Sequence, residues 1–66
     1  MNMDPVIQSF KPNFIDLARR AKQGDPTVVG CLMGYTGHNP TIADDLLALY
    51  DQCVQEVAKE LTEVAA

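Results

Sequence analysis

The chain has no tryptophan, one histidine and two cysteines among its 66 residues, and its aromatic side chains are limited to Phe10, Phe14, Tyr35 and Tyr50. Cys31 and Cys53 do not form a CxxC pair, and His38 has no second histidine to partner it. Structural zinc needs four ligands at short, regular spacings, so a metal site here would have to borrow a carboxylate, and no cofactor is expected. No apolar stretch approaches the roughly twenty residues that a membrane-spanning helix requires. Bases are scarce, five against nine acids for a net charge of −4, which argues against a protein held chiefly by phosphate contacts. There is no basic leader followed by a long apolar run, so the expected compartment is the cytoplasm, where both thiols stay reduced and free. A mass of 7.2 kDa leaves room for one domain, residues 1–66, and excludes most enzymes.

What is present has ordinary globular composition, 47% apolar and 21% charged, and its patterning is helical. Three Asx-Pro pairs, Asp4-Pro5, Asp25-Pro26 and Asn39-Pro40, each fit a helix N-cap followed by proline at the first helical position. Ile7, Phe10, Phe14, Leu17 and Ala21 recur at alternating spacings of three and four, which is one face of a helix. Pro12 removes a donor and crowds the carbonyl of Gln8. The pattern therefore predicts a short turn of helix over 5–10 and a proper helix over 12–23, closed by a left-handed Gly24. A third helix is predicted over 26–34, ending at Gly34. It is apolar almost all round, through Val28, Val29, Cys31, Leu32 and Met33, so it must be buried on most faces or covered by a partner.

The last helix, predicted over 40–64, has no interior glycine or proline. In its first half Ile42, Leu46, Leu49 and Cys53 widen a stripe of Ala43, Leu47 and Tyr50, whereas beyond Cys53 only Val54, Val57, Leu61 and Val64 continue it. Four-three spacing of that kind is the narrow seam of helix-on-helix association. At 1.5 Å per residue the rod is about 37 Å long, against a diameter of roughly 28 Å for a compact domain of this size. Its end is expected to overhang and to recruit a second copy along Leu47, Tyr50, Val54, Val57, Leu61 and Val64. Glu56, Glu60 and Glu63 flank this seam in turns where acids oppose the helix dipole. They are expected to face solvent or something basic, either Arg19, Arg20 and Lys22 of the same or a second copy, or a foreign basic protein surface.

Residues with reactive side chains give little support to catalysis. Cys31 and His38 lack a third orienting group, and the apolar neighbours of Cys31 suit an inert buried thiol. Asp44 and Asp45 lie in the first turns of the last helix, where the dipole alone favours acids. Gly30 and Gly34 stand four apart and can bring two backbones close, although Gly34 is better explained as a helix cap. No enzymatic activity is expected.

One constellation points to a family. Leu17, Ala18, Arg19, Arg20 and Ala21 are followed by Pro26-Thr27-Val28, Leu32, Gly34, Asn39-Pro40 and Leu46-Leu47. Over residues 17–50 this resembles the lambda-repressor-like (Cro-type) helix-turn-helix regulators. The resemblance implies a recognition helix that begins at Pro26-Thr27-Val28, is anchored by Leu32 and ends at Gly34. It also implies DNA contacts by Arg19, Arg20 and Lys22 to phosphates, with polar contacts from Thr27 and His38. The chain departs from the pattern where base reading would occur. Asp25, Thr27, Val29, Gly30 and Met33 stand at the reader positions, and none is an Arg, Asn or Gln able to make a bidentate base contact.

The expected molecule is thus an all-α, helix-turn-helix-like domain of three to four helices with a long C-terminal helix, forming a homodimer. Two functions fit it. One is a small bacterial or phage transcription regulator that binds duplex DNA. The other is an acidic helical protein-binding module, an inhibitor or adaptor, that keeps the fold without DNA readout.

Overall fold

A computed structural model describes the backbone of residues 4–65 and the side chains of residues 4–60. All regular structure among the described residues is helical: α1 (Pro5–Gln8), α2 (Lys11–Lys22), α3 (Val28–His38), a 3-10 turn (Pro40–Ile42) and α4 (Ala43–Ala65). The fold is all-α with a long C-terminal helix.

The local chemistry accounts for the boundaries. Asp4 caps α1, its Oδ1 accepting from the Val6 N–H at 2.8 Å, with Pro5 behind it at the first helical position. α1 is shorter than the 5–10 expected, because Ser9 and Phe10 form a turn that passes directly into α2, where the Phe14 N–H donates to the Phe10 carbonyl. Pro12 sits inside the first turn of α2, where its missing N–H has no helical acceptor to lose. At the other end Gly24 takes φ +84, the left-handed cap the sequence predicts. The Asp25 N–H then closes on the Arg20 carbonyl at 3.0 Å and the Gly24 N–H on that of Ala21 at 3.0 Å.

The third helix corrects the sequence reading at both ends. It starts at Val28, not 26, because Pro26 and Thr27 belong to a turn held by the Asp25 side chain, whose Oδ1 accepts from the Thr27 N–H at 2.8 Å. It continues four residues past Gly34, which is no cap. Gly24 is the only positive-φ residue among the described ones. Tyr35 anchors the added turns, its ring centroid lying 5.1 Å from that of Phe14 and 5.7 Å from that of Phe10. The helix stops at Asn39, whose Nδ2 donates to the Tyr35 carbonyl at 2.9 Å, and Pro40 then opens the 3-10 turn.

Ile7, Phe14, Leu17, Ala18, Val28, Leu46, Leu49, Cys53 and Val57 form the core. On α4 the buried positions are 46, 49, 53 and 57, a single stripe at helical spacing, and α4 packs most extensively on α2. Ala18, 1% exposed, lets the two helices approach closely at the contact. All four aromatic rings meet, with Phe14 central between Phe10, Tyr35 and Tyr50. The radius of gyration is 12.2 Å and the extents are 40 × 30 × 14 Å. The short dimension corresponds to two helix layers with axes about 8–10 Å apart, so a helix covered on one side presents its other side to solvent.

Candidate functional site

The basic cluster of α2 is engaged inside the protein. Arg19 donates from one terminal guanidinium nitrogen to both carboxylate oxygens of Glu60, each at 3.2 Å. Lys11 lies 3.3 Å from Glu56 Oε2. That oxygen is shielded from solvent and has no well-formed hydrogen bond, so the contact is a charge pair only. Arg20 bridges the turn that follows its helix: Nε donates to Asp25 Oδ2 at 2.9 Å, and a terminal nitrogen donates to the Thr27 hydroxyl at 3.0 Å. The Thr27 hydroxyl in turn donates to Asp25 Oδ1 at 2.6 Å. These bonds from Thr27, with that from Arg20, hold the Asp25 carboxyl down at about 2, and the Asp25 carboxylate raises the Arg20 guanidinium above its ordinary value.

The residues proposed for DNA contact are therefore in different situations. Arg19, Arg20 and Thr27 hold intramolecular partners, Asp25 is a strut of the turn and not a free reader, Lys22 is exposed, and His38 is exposed at the end of α3. Glu56 and Glu60 face bases of the same chain, Lys11 and Arg19, one of the alternatives that their placement against the helix dipole left open.

The seam drawn along α4 is not one surface. Val57 is 2% exposed and belongs to the protomer's own core, because it continues the stripe of Leu46, Leu49 and Cys53. Tyr50 and Val54 are half-buried against that core. With Ala18, Ala21, Lys22 and Asp51 they line an open cleft between α2 and α4 of about 470 Å³. Leu47 is exposed. Leu61 and Val64, the remaining interface positions, and Glu63 lie outside the described side chains.

Among the described residues, exposed large apolar side chains stand at Val6 and Leu47 and, as a pair on one helix, on α3. Val28 is buried and Cys31, Leu32 and Tyr35 pack against the core, while Val29 and Met33 are each 66% exposed. Gly30, Gly34 and Gly37 lie beside them, and a Cβ built on any of the three meets nothing within 4 Å. An open cleft of about 460 Å³ borders Gly34 on its far side, lined by Phe10, Cys31, Gly34, Tyr35, His38 and Asn39. Ridge, trough and cleft thus adjoin on one helix. The all-round apolarity of this segment predicted that it is buried on most faces or covered by a partner. What sequence reasoning missed was the extension to His38, which adds Gly37 to the trough and places the Tyr35 ring as a cleft wall.

Neither cysteine is in a disulfide; Cys53 is buried and Cys31 half-buried. Burial, with the charge of Glu56, pushes the Cys53 thiol above its ordinary value, which leaves it with little thiolate. Among the described residues no group of three His, Cys, Asp or Glu side chains is placed to hold a metal ion, and no helix is long and apolar enough to cross a membrane. Compared with known proteins, the chain matches no family model, no curated protein and no solved structure.

Proposed function

We propose that this chain is a small all-α protein-binding module, an inhibitor or adaptor that works through the uncharged outer face of α3. The observation that carries the reading is the composition of that helix. Its 11 residues include no Asp, Glu, Lys or Arg, and two of its large apolar side chains stand in solvent. A surface helix turns polar side chains to water, and a contiguous apolar face gains free energy when another surface covers it.

The state of the bases supports the same reading. Gripping phosphates with Arg19 and Arg20 means first breaking their contacts with Glu60 and Asp25, which leaves Lys22 as the exposed base of the three, on a chain whose net charge of −4 already opposes approach to DNA. On this reading the Cro-type resemblance of residues 17–50 reflects a helical scaffold without base readout.

Photo-cross-linking combined with a DNA titration tests the proposal. A photoreactive residue at position 33 is expected to trap a protein surface, whereas one at position 52, exposed on α4, traps none, and duplex DNA at low ionic strength gives no binding. Duplex binding that weakens steeply with salt and is lost in Lys22→Ala, with no cross-link from position 33, overturns it.

A further inference from the structure

We draw no further inference here: the strongest candidate, the open cleft between α2 and α4 walled by Tyr50 and Val54 and bordered by Lys22 and Asp51, carries nothing, because its two signs of charge suit a second copy and a foreign chain alike and nothing in the structure shows what covers it.

Discussion

Arg20 and Asp25 are joined across the α2–α3 turn by a 2.9 Å bond from Nε to Oδ2, and the same carboxylate holds Thr27 through its other oxygen. A residue that the Cro-type resemblance assigns to DNA is thereby a structural member, because it fixes the entry of the chain into α3. The exposed face of α3 is aimed by this turn.

Asp25 should titrate at about 2, well below its ordinary 3.8. A carboxyl whose folded value is depressed adds stability that is present above 3.8 and lost as pH falls through about 2. Carbon-detected NMR titration of the carboxyl measures this directly. Thr27→Ala, which removes the largest contribution, should move the midpoint back towards 3.8, and a wild-type midpoint already there contradicts the network.

The glycines should respond to alanine with opposite signs. Gly24→Ala forces a side chain into the left-handed region and is expected to cost about 1–2 kcal/mol. Gly30→Ala lies inside a helix with open space at its Cβ and is expected to add about 0.5–1 kcal/mol. Urea denaturation of the two variants gives both values.

Neighbouring leucines of α4 should differ sharply. Leu46 is fully buried, so Leu46→Ala is expected to cost about 2–5 kcal/mol, a large part of the total stability of a small domain. Leu47 is 47% exposed, and Leu47→Ala should change stability by no more than about 0.5 kcal/mol. Equal losses in chemical denaturation would contradict the register of the helix.

The ion pairs between α2 and α4 should matter little to stability. Arg19 and Glu60 are each about half exposed, so Glu60→Gln is expected to cost less than about 1 kcal/mol, and less still at high salt. The double change Glu56→Gln with Glu60→Gln releases Lys11 and Arg19 and lowers the negative charge by two. It is still expected to bind no duplex DNA in a fluorescence anisotropy titration.

The sequence makes the helices legible because their signals are local. Asp4-Pro5, the three-four spacing from Ile7 to Ala21, Gly24 and the uninterrupted run after Pro40 each act through neighbours a few bonds or one turn away. The unfavourable place of Glu56 and Glu60 against the helix dipole is also readable, whereas solvent, a second copy and a foreign surface stay open beside the chain's own bases, and Lys11, which Glu56 meets, is not among the bases the sequence suggests for it.

The remaining features depend on contacts between distant residues. Whether Gly34 ends a helix or lies within one is not a property of Gly34, since the packing of Tyr35 on Phe10 and Phe14 carries the helix to His38. Whether Val57 joins a seam or the core depends on which stripe of α4 meets α2, and both stripes satisfy the spacing. Arg20 reads as a phosphate contact until the turn brings Asp25 and Thr27 to it.

By itself, then, the order of residues determined an acidic all-helical chain with one segment too apolar to stand alone, since propensity, capping and composition are summed along the chain. Only the tertiary structure decided which half of that segment stays uncovered, because burial is set by what packs from elsewhere. α2 and α4 together close one side of α3 and leave Val29, Met33 and the glycine trough on the other.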